Sequence, residues 1–186
     1  MEIEHPYLLF IGDAADQLAA KTADGIAKWR PQWCVGQYRL PDCNADLGLP
    51  DLSLEEARRL GARTLIVGVA NRGGILSAAW IQVLEEALER GYHVASGLHM
   101  RLSSSPRLSA RAADLGLNLI DVRQPDGEFH VGDGRKRRGK RLLTVGTDCS
   151  LGKMFTALAI EGEMKNRGMN ADFRATGQTG IFIAGS

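Results

Sequence analysis

Five short apolar runs punctuate the first two thirds of the chain, at residues 7–11, 34–40, 64–70, 92–96 and 117–122. Each stops at a glycine or a polar turn, and the segments between them carry apolar residues at helical spacing. Side chains of a strand point alternately to its two faces, so a run that is apolar throughout needs cover on both. Doubly covered strands alternating with helices predict an α/β fold, a doubly wound parallel sheet of the Rossmann-like kind over residues 1–122.

The helical segments carry their own start and stop signals. Leu18, Ala19, Thr22, Ile26 and Trp29 share one face of a first helix. Ser53 and Glu56 form a capping box, which predicts a helix over residues 54–60 ended by Gly61. Ser77 caps a helix running to Arg90 with Trp80, Ile81, Leu84, Ala87 and Leu88 inward, and Ser105 before Pro106 opens another that ends at Leu115 and Gly116. Ligands in open α/β sheets bind beyond the carboxyl ends of the strands. That draws interest to Gly12 and Asp13, to Asn71, Arg72, Gly73 and Gly74, and to His99 and Arg101. The first turn holds only Gly12 where a dinucleotide fingerprint needs three glycines, which removes the main support for a nicotinamide role. Asp13 is expected to cap the first helix. The 71–74 loop fits either a ligand contact or a plain turn, and His99 is a weak candidate for a catalytic base.

Composition narrows the function classes. With 23 Lys and Arg against 22 Asp and Glu, the net charge of +1 gives no global attraction to nucleic acid or to an anionic membrane. No apolar run approaches a membrane span, and the N-terminus lacks a signal-peptide pattern, so a cytoplasmic location is expected. The 3 cysteines are odd in number and lack CxxC spacing, so neither a disulfide framework nor a metal site is expected. Cys149 stands apart, because a helix N-terminus and a nearby lysine would lower its pKa; the plain alternative is a small side chain that suits a loop.

Residues 123–140 change character, becoming rich in glycine, aspartate and base, and are read as a linker. Arg135, Lys136, Arg137, Arg138 and Lys140 concentrate charge there. They read either as a solvated linker or as groups that neutralise phosphates or a substrate carboxylate, for which arginine forks are suited. Aromatic residues are not interleaved with them, which sets nucleic acid aside.

Residues 141–186 read as the start of a P-loop α/β domain. An expected strand at 142–145 feeds Gly146, Thr147, Asp148, Cys149, Ser150, Leu151, Gly152, Lys153 and Met154, with a helix expected over 153–167. A strand, a glycine-bounded turn and a Gly-Lys pair opening a helix make a phosphate cradle of backbone amides and one lysine. The spacing is one residue longer than the strict motif. Met154 stands where a hydroxyl would hold magnesium, and its soft thioether is a poor ligand for that hard ion. A further strand is expected at 171–176, then a polar loop at 177–180 whose Gln178 and Thr179 are candidate ligand contacts beside the P-loop mouth.

Several of these segments carry a resemblance, namely ARTLIVGVANRGG, ASGLHMRL, VGDGRKRRGKRLLTVGTDCSLGKM and RATGQTGIFIAG. They resemble the DgcN-type D-glutamate N-acetyltransferase family, in which a Rossmann-like N-terminal domain is joined to a P-loop domain. The resemblance spans nearly the whole chain, although family members are nearly twice as long. It implies acetyl-coenzyme A as the group donor, held at residues 146–154, and the amine of D-glutamate as acceptor, with Arg135, Lys136 and Arg137 meeting its carboxylates. His99 and Asp148 are then the weak candidates for a base. It also implies a homo-oligomer acting on a small D-amino acid. The GTDxxxGK loop separately resembles that of dethiobiotin synthetase, which leaves an ATP-dependent ligase or kinase as the alternative. A non-catalytic nucleotide-binding or assembly module is a third reading.

Overall fold

The computed structural model describes residues 3–70, 73–124, 130–136, 138–148, 151–175 and 177–184. Asn71, Arg72, Arg137, Cys149 and Ser150, singled out above, lie outside the described residues. The chain divides into two units, one made of residues 1–125 together with 177–186, the other of residues 126–176. The second unit is therefore inserted, in sequence, before the last segment of the first. The sequence predicts a linker at 123–140 and the start of a P-loop domain at 141–186; the last segment, 177–186, groups with the first unit.

In the first unit, β1 (Tyr7–Gly12), β2 (Cys34–Arg39), β3 (Thr64–Val67), β4 (His93–Ser96) and β5 (Leu119–Asp121) form one sheet in the order β2-β1-β3-β4-β5. All four pairings are parallel. Every residue of β1 and of β3 is buried, so both sheet faces are covered, as the continuous apolar runs require. The register sets Phe10, Val67, Ser96 and Asp121 level along the carboxyl edge. The chain leaves β1 towards β2 and returns to β3 on the opposite side, so the topological switch point lies between β1 and β3.

The helices form where their caps predict. In α2 (Leu54–Arg59), Ser53 accepts from the Glu56 amide, and Glu56 reaches back to the Ser53 amide at 2.8 Å. Ser77 caps α3 (Ala78–Glu89), and Ser105 with Pro106 opens α4 (Pro106–Leu115). α3 and α4 pack together and bury Trp80, Leu84, Leu88 and Leu108. Each side chain of that size contributes roughly 1.5–3 kcal/mol on leaving water. Val83 is buried as well, whereas Ile81 is only half-buried.

Boundaries move where tertiary bonds intervene. The third strand ends at Val67 rather than at residue 70, because the Gly68 carbonyl turns to accept from Ala23 and the Ala70 amide donates to Ala19. Ala23 lies in the first turn of α1 (Lys21–Trp29) and Ala19 just before it. The fifth strand starts at Leu119 because the Leu117 amide still closes α4 on Ala112. The loop after β2 folds back along its outer edge, where Gln37 bridges to Asp51 and Arg39 forms a two-pronged ion pair with the Asp51 carboxylate. That loop covers an edge which would otherwise present open backbone.

The last segment overturns an expectation. Residues 177–180 are not a polar loop ending in an apolar run; Gln178 opens a helix, α6 (Gln178–Ala184). It packs on α1, with Phe182 and Ile183 at 0% exposure. Burying those two outweighs the weak helix propensity of Gly and Thr.

The second unit contains α5 (Lys153–Asn166). Neither strand expected there is formed among the described residues. Leu142, Leu143 and Val145 are 60%, 77% and 80% exposed, with no ladder to pair them. Residues 171–175 are likewise irregular. A strand exists only through a neighbour that takes up its backbone groups, and the described part of this unit supplies none. Among the described residues no helix is long and apolar enough to cross a membrane.

Candidate functional site

Two places carry the chemistry expected from the sequence, one in each unit.

At the carboxyl edge of the first unit the residues are tied to one another. Asp13 does not cap α1, which begins at Lys21 with no side-chain cap. Its carboxylate accepts from the indole N–H of buried Trp80 at 2.8 Å, a partner 67 residues away that helix-start rules could not supply. The Ala23 amide, in the first turn of α1, donates to Gly68 beyond β3 at 3.0 Å. In dinucleotide-binding folds the amides at the start of this helix receive the pyrophosphate. Here one of them is taken by a strand end, which agrees with the missing glycine fingerprint. His99 lies exposed on the loop after β4, its carbonyl accepting from the Gln124 side chain at 3.1 Å. Arg123 donates to the Gly97 carbonyl at 2.9 Å. Arg101 is exposed.

Gln178 and Thr179 belong to this unit rather than to a free loop. The Thr179 hydroxyl meets that of buried Thr22 at 3.2 Å. Gln178 lies so close to Gly97 that a Cβ there would come within 2.1 Å of its Oε1 and 2.5 Å of its Cβ. Gly97 and Thr22 are the residues of this edge that sequence reasoning did not single out as a pair, because their common partner lies far along the chain.

In the second unit, Gly152 adopts φ +87°, left-handed backbone that glycine takes without strain, and so turns the loop into α5. No side chain caps this helix, leaving its first turn to the loop. The Lys153 stem crosses Gly146, with Cδ 3.2 Å from where a Cβ would stand, and its ammonium donates to the Asp148 carbonyl. The Thr144 hydroxyl donates to the Lys153 carbonyl at 2.9 Å and fixes the approach to the turn. Gly146, Thr147, Asp148, Leu151, Gly152, Lys153 and Met154 are thus brought into one turn. Lys153 reaches back across the loop, with its ammonium at the loop's own backbone. Met154 is half-buried at the first turn and presents a thioether. This set fits an anion and offers little to a hard divalent cation. Arg135 and Lys136 are exposed in the preceding segment, and Arg135 pairs with Asp133 at 3.2 Å.

Among the described cysteines, burial pushes the Cys34 thiol up to about 12, so it is inert at neutral pH. Cys43 donates to the Ala45 carbonyl.

Residues 38–125 match the model of a Rossmann-like domain of unknown function, the N-terminal part of DUF1611, and residues 130–186 match the P-loop domain that forms its C-terminal part. The chain belongs to the DUF1611 family. Other members share its architecture: a crystal structure of a DUF1611 family protein from Anabaena variabilis superposes with a TM-score of 0.82 at 28% identity, over 98% of this chain and 55% of that one. Two curated relatives are named D-glutamate N-acetyltransferase. The protein from Tritonibacter scottomollicae is 58% identical over 98% of this chain and 55% of its own length. The one from Pseudoalteromonas is 48% identical over 100% of this chain and 56% of its own. This DUF1611 chain therefore spans about half the length of the curated relatives it matches.

Proposed function

We propose that the protein transfers an acetyl group from acetyl-coenzyme A to the amine of D-glutamate. The observation that carries this reading is the shared name of two relatives that align with almost every residue here, at 58% and 48% identity. The loop chemistry supports it independently, since a phosphate grip followed by Met154 rather than a hydroxyl suits a ligand that is held by its phosphates and not hydrolysed at them.

In this reading the amides of residues 146–154 and the Lys153 ammonium hold the phosphates of coenzyme A, exchanging the present Lys153 bond to the neutral Asp148 carbonyl for one to an anionic oxygen. The donor supplies an activated acetyl thioester. Arg135, Lys136 and Arg137 receive the acceptor's carboxylates. The acceptor amine must arrive or become neutral, with Asp148 the candidate base within this unit. The carbon–nitrogen bond forms as the carbon–sulfur bond breaks, and the amine proton leaves to the base. The reading carries with it a cytoplasmic homo-oligomer.

The test is release of coenzyme A from acetyl-coenzyme A by the protein, across D- and L-amino acids. D-Glutamate is expected to be the preferred acceptor. Lys153→Ala should raise the KM for acetyl-coenzyme A at least about tenfold, the loss of one charged hydrogen bond. Magnesium-dependent ATP turnover with no acetyl transfer would overturn the reading in favour of a ligase or kinase.

A further inference from the structure

The carboxyl edge of the first unit is where an open α/β sheet keeps its ligand crevice. In this protein that edge meets its own chain. Between β1 and β4 lies β3, and the turn beyond it is bonded to the first turn of α1 through Ala23 and Gly68. α6 sits against this arrangement from two sides: Thr179 meets Thr22 on α1, and Gln178 presses on Gly97 beyond β4. Behind them Phe182 and Ile183 are fully buried, so the helix is seated as core. The rim is closed as well: Leu98 donates to Ser96 Oγ at 3.1 Å, and Arg123 to the Gly97 carbonyl. Among the described residues no buried side-chain polar atom there lacks a partner that a ligand would have to supply.

We propose that α6 is a plug built into the chain: it occupies the crevice at which a Rossmann-like unit takes a nucleotide, so this unit holds no nucleotide. The partner that the crevice fits is the segment 177–184 of the same chain. The proposal stands whether or not the acetyltransferase reading does, since it concerns the first unit alone.

Gly97 gives a direct handle. It does not lie in the left-handed region, so alanine there fits the backbone and acts only by its Cβ. That Cβ would meet Gln178 Oε1 at 2.1 Å, Cβ at 2.5 Å and Cδ at 2.9 Å. The tip of Gln178 can swing away, but its Cβ cannot without lifting the helix. Gly97→Ala is therefore expected to raise amide exchange across residues 178–184 about tenfold or more while β1, β3 and β4 stay protected. Adding Gln178→Gly removes all three contacts and should return exchange towards the starting level, which Gln178→Ala should not. Unchanged protection of α6 in folded Gly97→Ala would overturn the proposal. The unmodified protein supplies the second arm, which needs no variant: NAD, ATP and coenzyme A are each titrated and protection is mapped. Protection gained at residues 12–23, 68–70, 97–99 or 178–184 with any of the three overturns the plug; no gain there, whatever the P-loop does, supports it.

Discussion

The two units use the same kinds of residue to opposite effect. In the first, the apolar runs of β1 and β3 become strands that are buried on every residue, and the polar groups left inside find partners across long stretches of sequence. In the second, a run of equal hydrophobicity, residues 142–145, stays irregular and largely in solvent, and of all the side chains of α5 only Leu158 is buried. The difference lies in neighbours. Hydrophobicity makes a strand possible, and a partner strand makes it a strand. The P-loop turn nevertheless keeps its form, because its contacts are local: Lys153 to Asp148 and Thr144 to Lys153 close within the turn itself.

The contrast can be broken most severely at Phe182. Phe182→Ala should destabilise the first unit by about 3–5 kcal/mol, the usual cost of emptying a buried aromatic site, while leaving α5 helicity unchanged. Urea unfolding followed by tryptophan emission reads the first unit, since all 3 tryptophans lie within it. A loss below about 1 kcal/mol would mean that α6 is not core. Ser53→Ala should cost about 1 kcal/mol in the same assay, because it removes half of the α2 capping box.

A smaller effect is expected from acid. Three exposed carboxyls lie below their ordinary range: Asp51 through the Arg39 guanidinium, Glu56 through the Ser53 hydroxyl and amide, and Asp46 through the Gly48 amide and Gln37. A carboxyl depressed in the folded state contributes stability above its unfolded pKa and loses it as pH falls through the folded one. Urea midpoints should therefore fall on acidification below about pH 4. Glu56→Gln should flatten that slope slightly, and an unaltered slope would show that Glu56 takes no part. Smallest of all, Leu143→Lys should change the stability of this chain by less than about 0.5 kcal/mol, because the side chain is 77% exposed. A larger loss, read by far-UV circular dichroism during urea unfolding, would show that residues 142–145 pair after all.

Much of the first unit was legible because strands buried on both faces leave an unmistakable mark, and because Ser53, Ser77 and Ser105 announce their helices locally. What was not legible depended on distant partners. Asp13 looks like a cap until Trp80 arrives from another helix. The GQTG segment reads as a turn on the propensity of its own residues, and becomes helical because α1 offers Phe182 and Ile183 a place to be buried. At the candidate site the loop spacing, the lysine and the anomaly at Met154 could all be read directly. The packing of Gln178 on Gly97 could not, since neither residue's own surroundings in sequence mention the other.

The insertion of one unit within the other has a consequence for how the chain is made. Thr22 and Thr179 are separated by 157 positions, so α1 waits for its covering helix until the chain has been made as far as α6. At about 5–20 residues per second the interval between β5 and α6 is roughly three to twelve seconds. During that time an apolar helix face stands open on an otherwise folded sheet. A nascent chain of this kind has a defined window in which a chaperone, or another nascent copy, can reach that face, and the window shuts when residue 184 is in place.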